Sequence, residues 1–188
     1  MKNNLLVQMI YRIVMCCVSA LAVLLTFHVF YVGDGPHDIN WYILTMYTHI
    51  SNYFVFAISV IITVDNVRRV KAGEREGHNK KVRSLKFMTT VMILVTFLIY
   101  SILLGKPYTL DFWRRLDNLA YHVFAPLLFI LDFFLFDEHR TVSVFEPLKS
   151  LIIPLVYVAY ILILGACVPD FQYPYFFLDV NKLGYGGV

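Results

Sequence analysis

Long stretches without charge constrain this chain more than any other feature of its sequence. Five apolar runs contain no Asp, Glu, Lys or Arg, and the fourth continues past the single carboxylate of Asp132 to residue 136. The runs are residues 13–32, 39–64, 87–105, 118–131 and 150–168. A helix needs roughly 20 apolar residues to cross a bilayer, whereas the strands of a membrane barrel alternate in polarity. The runs therefore predict an all-α, polytopic transmembrane helical bundle with five spans.

The predicted spans include the runs and some of the residues that flank them. They lie at about 8–32, 40–67, 85–105, 118–136 and 150–168. No internal repeat or long linker separates them, so residues 1–188 are predicted to form a single transmembrane domain. Composition agrees, because 15% of the residues are charged whereas soluble domains have about 25%. This balance excludes a water-soluble fold and an intrinsically disordered chain.

Lys and Arg are distributed unevenly across the predicted membrane. Twelve of the 16 lie on the side that holds the N-terminus and the basic loop at 68–86. Because basic residues are enriched on the cytoplasmic side of membranes, both are predicted to be cytoplasmic. We expect an integral protein of the plasma or inner membrane whose partners are membrane lipids. Binding to nucleic acid is not predicted, since the basic residues are segregated by topology.

Polar side chains inside the apolar runs are costly in lipid and therefore indicate interaction or function. Span two carries Thr48, and span four carries His122. Further polar residues accompany them on the two spans: His49, Ser51, Asn52 and Asn118. At 1.5 Å per residue, Thr48 lies roughly 10 Å below Trp41 and His122 roughly 6 Å below Asn118. The two side chains can therefore meet in the outer third of the bilayer if the spans pack together.

A threonine beside a histidine can act as a nucleophile. The Thr48 hydroxyl needs a base within hydrogen-bonding distance, and the neutral imidazole of His122 is such a base near neutral pH. The pair could attack an ester carbonyl and form an acyl-enzyme, with Asn52 as the candidate oxyanion donor. Pro126 has no N–H for the His122 carbonyl, so a kink beside the histidine is predicted. Asp132, roughly 15 Å deeper, is expected near the cytoplasmic interface beside Arg or Lys.

An aromatic segment follows the fifth span, at residues 169–188. Pro169 and Pro174 interrupt it, which favours an ordered interfacial or re-entrant segment over a helix through lipid. Three of its side chains are predicted to line the mouth of the cavity: Tyr173, Tyr175 and Asp179.

Two other classes of protein fit the same residues. A non-catalytic protein that binds or transports a lipid or small molecule could use the same polar cavity, although the repeated halves common in transporters are missing from the sequence. A structural or assembly subunit could use the polar groups to join helices, because Thr and Ser in such helices usually bond a carbonyl one turn earlier. The sequence leaves association into homo-oligomers open.

Motifs for nucleotide, metal or serine-hydrolase chemistry are missing from the sequence. It has no GxSxG, HExxH, P-loop or GxGxxG pattern, and no cofactor is predicted. No metal site is predicted either, because His28, His49 and His122 lie on three different spans without ligand spacing.

Three patches of sequence are similar to a known family in their order and spacing. They are residues 47–52 (YTHISN), 122–132 (HVFAPLLFILD) and 173–179 (YPYFFLD). Together they resemble the androgen-induced-gene (FAR-like) family of multi-span membrane proteins, particularly its prokaryotic branch. The resemblance covers most of the chain, and the spacing from His122 to Pro126 is one residue shorter than in animal members.

The resemblance implies a fold and an activity. Family members have six spans, so we expect the last one to be missing from this chain. Animal members are threonine hydrolases of fatty acid esters of hydroxy fatty acids, with a threonine on the second span and a histidine on the fourth. By resemblance, these roles fall on Thr48 and His122 of an intramembrane lipid-ester hydrolase.

Overall fold

The computed structural model describes residues 4–27, 41–73, 80–103, 116–137 and 145–188. Five long helices lie in these ranges: α1 (Leu5–Thr26), α2 (Tyr47–Ala72), α3 (Lys80–Ile102), α4 (Leu116–Phe136) and α5 (Glu146–Cys167). Each is long and apolar enough to cross a membrane, with mean hydropathies from 1.6 to 2.3. The described ranges contain no strand. The predicted all-α, polytopic bundle with five spans is confirmed, and the chain is an integral membrane protein.

The helix ends follow local sequence signals. Asn4 caps α1, because its side chain accepts hydrogen bonds from two backbone N–H groups of the first turn. Gly73 ends α2 with a φ of 69°, a left-handed conformation that glycine adopts without steric cost. A 3-10 turn (Trp41–Thr45) precedes α2, which begins at Tyr47 rather than near the predicted residue 40. Helices α2 and α3 also extend into the predicted 68–86 loop from both sides.

The core of the bundle lies among the first four helices. Helices α1 to α3 pack side by side in chain order, and α4 lies against all three. Six side chains form the main apolar cluster of this core: Met15, Val55, Ile58, Ile62, Ile93 and Phe129. Helix α5 is peripheral, with 17% of its apolar stretch buried compared with 44% for α4. Its exposed face, which includes Leu155, Val156 and Ile163, is suited to contact with lipid.

Four charged side chains are buried together at one end of the bundle. Arg12 of α1 pairs with Asp132 of α4 at 3.0 Å, and Lys86 of α3 pairs with both Asp132 and Asp137. The expectation that Asp132 has basic neighbours is confirmed. Arg12 and Lys86 lie near the ends of the predicted spans at 8–32 and 85–105. Both are buried because two carboxylates compensate their charge.

The aromatic segment folds back onto the bundle. It contains a 3-10 turn (Phe176–Leu178) and a short helix, α6 (Val180–Leu183). Tyr175 is buried in an apolar cluster with side chains of α2, α3 and α5. Gly165 of α5 leaves room for the ring of Tyr173, since a Cβ at this position would overlap it. The aromatic segment therefore packs against the bundle beside α5.

Candidate functional site

A cavity of about 90 Å³ lies near the start of α2. Its walls come from α2, α3, α5 and the aromatic segment. Six residues of the lining carry a hydroxyl group: Tyr47, Thr48, Thr96, Tyr100, Tyr157 and Tyr175. The other lining residues are apolar: Val95, Ile99, Pro154, Val158, Phe177 and Leu178. An apolar cavity with a few polar groups is typical of a site for a small hydrophobic ligand.

Thr48 lies in the first turn of α2, on the cavity wall, and is 7% exposed. Its backbone N–H donates to the Tyr175 hydroxyl at 3.4 Å, and its side chain also hydrogen-bonds that phenol. Burial raises the pKa of Tyr175, and the hydrogen bonds with Thr48 act in the opposite direction. Tyr175 is therefore a neutral phenol near neutral pH, with its O–H group beside the predicted nucleophile.

Asn52 joins α2 to α4 from within the bundle. Its amide nitrogen donates to the Thr48 carbonyl at 2.8 Å and to the Tyr121 carbonyl at 3.0 Å. Both protons of the amide are then used, so Asn52 has none left for an oxyanion. The side chain is fully buried and does not line the cavity. Asn52 fixes the position of Thr48 relative to the turn that carries His122.

Ser51 makes a second connection behind Thr48. Its hydroxyl donates to the Thr48 carbonyl at 2.9 Å and accepts from Thr96 of α3 at 2.8 Å. Thr96 lines the cavity, whereas Ser51 does not. The first turn of α2 is thus tied to α3 through Ser51 and to α4 through Asn52, which holds the Thr48 backbone in one position.

A π turn carries His122. Residues Ala120–Phe124 form this turn, in which the N–H of Ala125 donates to the carbonyl of Ala120. Pro126 lies two residues after the end of the turn and has no N–H for the carbonyl of His122. The local distortion predicted beside the histidine therefore takes the form of a π turn, a feature often found at functional sites.

The His122 ring rests on an aromatic neighbour. It stacks on Tyr100 with ring centroids 3.4 Å apart, and the ring of Tyr121 packs edge-on against it with centroids 4.7 Å apart. Tyr100 lines the cavity, but His122 does not. Within the described part of the chain, no hydrogen bond joins His122 to Thr48, and His122 Nδ1 has no partner. The two predicted catalytic residues are linked indirectly, through Asn52, which bonds the carbonyl of Thr48 and the carbonyl of Tyr121 beside His122.

The other predicted polar residues of spans two and four face away from the cavity. His49 Nδ1 lies 3.3 Å from the Thr26 hydroxyl of α1, and its ring meets the edge of Tyr121. Asn118 accepts a hydrogen bond from the Tyr121 hydroxyl at 3.3 Å. His28 lies outside the described residues. His49 therefore connects α2 to α1 and α4, whereas the Asn118 contact lies within α4.

Two predicted residues of the aromatic segment have local roles. Tyr173 packs against Gly165 and the ring of Phe171. Asp179 accepts a hydrogen bond from the backbone of Asn181 and pairs with Lys182 at 3.1 Å, which caps α6. Neither residue is in the cavity lining, whereas Tyr175, from the same segment, is.

Sequence reasoning missed three tyrosines of the cavity. Tyr157 donates to the Thr45 carbonyl at 2.7 Å, and its ring meets the edge of Tyr47 at 4.8 Å. Tyr100 carries the stacked histidine. The sequence did contain a signal for them, namely a phenol group inside an apolar run. A buried Tyr hydroxyl usually needs a hydrogen-bond partner, so such a residue indicates a polar contact within the bundle. Tyr47, Tyr100 and Tyr157 supply three of the six hydroxyl groups of the cavity.

No cluster of three or more His, Cys, Asp or Glu side chains within the described ranges could hold a metal ion. No family model, curated protein or solved structure matches this chain. The fold and the site together define an all-α integral membrane protein with a cavity lined by apolar and hydroxyl groups.

Proposed function

We propose that this protein is an intramembrane lipid-ester hydrolase that cleaves fatty acyl esters. Thr48 is the nucleophile, and His122 is the general base and then the general acid. The observation that carries the proposal is the position of Thr48, which lies on the wall of an apolar cavity within membrane-spanning helices. The resemblance to the androgen-induced-gene family supports the same two roles.

The reaction has two stages. Thr48 Oγ1 attacks the ester carbonyl carbon while His122 takes its proton, and the alcohol leaves with that proton. A water molecule, deprotonated by His122, then attacks the acyl-threonine, and the fatty acid is released as Thr48 regains its proton. Tyr175 is the best placed donor for the oxyanion, since its hydroxyl already lies on Thr48. Tyr175 thus replaces Asn52, which the sequence analysis names as the candidate oxyanion donor.

His122 has to move for this chemistry. Its imidazole rests on Tyr100 and must rotate toward Thr48 when an ester binds. Catalytic hydrogen bonds often form only in the complex with substrate, so His122 can act as the base without a hydrogen bond to Thr48 before the ester binds. His122 lies in a π turn, so the movement takes place in a segment whose geometry differs from that of a regular helix.

The proposal includes the placement in the membrane. The N-terminus and the 68–86 region face the cytoplasm of a plasma or inner membrane, as the excess of Lys and Arg on that side suggests. The partners are membrane lipids or a fatty acid ester substrate, with no role for nucleic acid. The exposed apolar face of α5 is available to lipid or to a second copy of the chain.

The test is ester turnover by purified protein, combined with labelling by a fluorophosphonate probe. Thr48→Ala should abolish both, and His122→Ala should lower turnover by about 100- to 10,000-fold. The matched control is Thr89→Ala, because Thr89 is buried in α3 and outside the cavity lining. Turnover that survives in Thr48→Ala, with the protein folded, would refute the assignment.

A second candidate function is non-catalytic binding or transport of a lipid. The observation that favours it is the resting place of His122, which stacks on Tyr100 instead of bonding Thr48. A lipid retained through purification, in a folded protein that shows no turnover and no probe labelling, would support binding over hydrolysis.

A further inference from the structure

Tyr47 has a buried hydroxyl that the protein itself does not satisfy. The residue lines the cavity and is 5% exposed, yet its hydroxyl has no hydrogen-bond partner within the described ranges. Its neighbours in the cavity differ, since Tyr157 donates to the Thr45 carbonyl and Tyr175 is bonded to Thr48. Leaving a buried donor unpaired is costly, so a bound molecule is the natural source of the missing acceptor.

The cavity also lacks charge. None of its lining residues within the described ranges is Asp, Glu, Lys, Arg or His. Lys86, which is buried on α3, is already paired with two carboxylates. Lys182 of the aromatic segment is exposed and paired with Asp179. A charged group placed in the cavity would have no counter-ion, and burial of such a charge is strongly unfavourable.

We propose that Tyr47 anchors an uncharged oxygen of a lipid by donating a hydrogen bond to it. The acceptor is a carbonyl or hydroxyl oxygen, and the attached hydrocarbon lies against the apolar wall formed by residues such as Ile99 and Val158. The cavity therefore selects uncharged lipids and rejects lipids of the same chain length with a charged head. This inference rests on the cavity of the proposed function but does not require Thr48 to be reactive.

The experiment measures binding of three lipids with one chain length to the purified full chain in lipid nanodiscs, with every protein carrying Thr48→Ala so that the ester is not consumed. Methyl oleate is the uncharged probe, and oleyl sulfate and oleyl trimethylammonium carry permanent charges of opposite sign. Competition against labelled methyl oleate gives the three dissociation constants. We expect methyl oleate to bind at least about tenfold more tightly than either charged lipid, since neither charge would find a counter-ion.

The variant Tyr47→Phe removes the hydroxyl and keeps the ring that packs on Tyr157. It should weaken binding of methyl oleate by about twofold to tenfold, the effect of one hydrogen bond, and leave binding of octadecane unchanged. The matched control is Tyr53→Phe, because the Tyr53 hydroxyl is also buried without a partner in the described ranges but lies outside the cavity lining. This control should bind methyl oleate as tightly as the protein that carries Thr48→Ala alone.

Three results would overturn the inference. They are equal or tighter binding of a charged lipid, unchanged binding of methyl oleate by Tyr47→Phe, and an equal loss in Tyr53→Phe. Failure of the hydrolase proposal gives a different pattern, in which esters are not turned over although methyl oleate still binds through Tyr47. The two proposals can therefore fail separately.

Discussion

The imidazole of His122 lies flat on the phenol ring of Tyr100, with ring centroids 3.4 Å apart and ring planes 15° apart. Tyr100 lines the cavity, so the stack places the proposed base one ring away from the space that a ligand would occupy. The proposed hydrolysis requires the imidazole to leave this position and reach Thr48. In that proposal, the stack is the resting position of the base.

Replacement of Tyr100 by leucine should make Thr48 more reactive. Loss of the stack removes an interaction worth about 0.5–1.5 kcal/mol, so labelling of Thr48 by a fluorophosphonate should become about 2- to 12-fold faster. Tyr100→Phe keeps the ring and should label at nearly the wild-type rate. Slower labelling of Tyr100→Leu, in a protein of unchanged thermal stability, would mean that Tyr100 holds His122 in its working position instead.

The sequence predicted the membrane-spanning helices but not which side chains face one another. Uncharged runs are a strong signal for spans, so the five helices could be predicted directly. Residue counts along the fourth span place Asp132 near its end, where a basic partner was expected. Rotation about a helix axis is harder to predict. The π turn at His122 changes the direction of that side chain, and the tight bonding of Asn52 depends on a carbonyl of another helix.

Two buried cations show a further limit of sequence reasoning. Arg12 and Lys86 lie close to span ends, where a basic residue is normally counted as facing water. Their burial depends on Asp132 and Asp137, which are far away in sequence. Likewise, the contact between Tyr175 and Thr48 joins residues that are 127 positions apart. Such pairings are set by tertiary packing, which local patterns do not contain.

Removal of one member of the buried charge cluster should be strongly destabilising. Lys86→Met leaves Asp137 without its nearest cation, and such a loss typically costs about 3–5 kcal/mol. The double variant Lys86→Met/Asp137→Leu should recover much of this loss, because it removes both charges and leaves Arg12 paired with Asp132. The control is Lys81→Met at an exposed position, with an expected change within about 0.5 kcal/mol. Chemical denaturation in detergent gives all three values, and additive effects in the double variant would contradict the pairing.

Gly165→Ala should displace the aromatic segment from α5. The added methyl group would overlap the ring of Tyr173, so this ring has to shift, and we expect the packing of the segment that carries Tyr175 against the cavity wall to loosen. We expect faster proteolytic cleavage within residues 169–175 and weaker binding of methyl oleate. Gly186→Ala is the matched control, since a Cβ there meets open space. Equal cleavage of the two variants would show that the segment does not depend on this contact.

Pro126→Ala should disturb the site without weakening the fold. Alanine restores an N–H group that can donate to the His122 carbonyl, so the π turn can convert to a regular helix and redirect His122. Labelling of Thr48 should fall by about 10- to 100-fold, the effect of a small misplacement of a catalytic group, while the melting temperature stays equal or rises. Pro147→Ala, in the first turn of α5, should change neither quantity. Unchanged labelling of Pro126→Ala would show that the π turn has no part in placing the base.

The most direct test of the central claim is to trap the acyl-enzyme. Wild-type protein is mixed with a fatty acyl ester, quenched in acid within the first turnover, digested, and analysed by mass spectrometry. The account predicts an added acyl mass on Thr48 that disappears after longer incubation and is missing in Thr48→Ala. Ester turnover with the acyl group on another residue, or with no acylated residue at all, would contradict it.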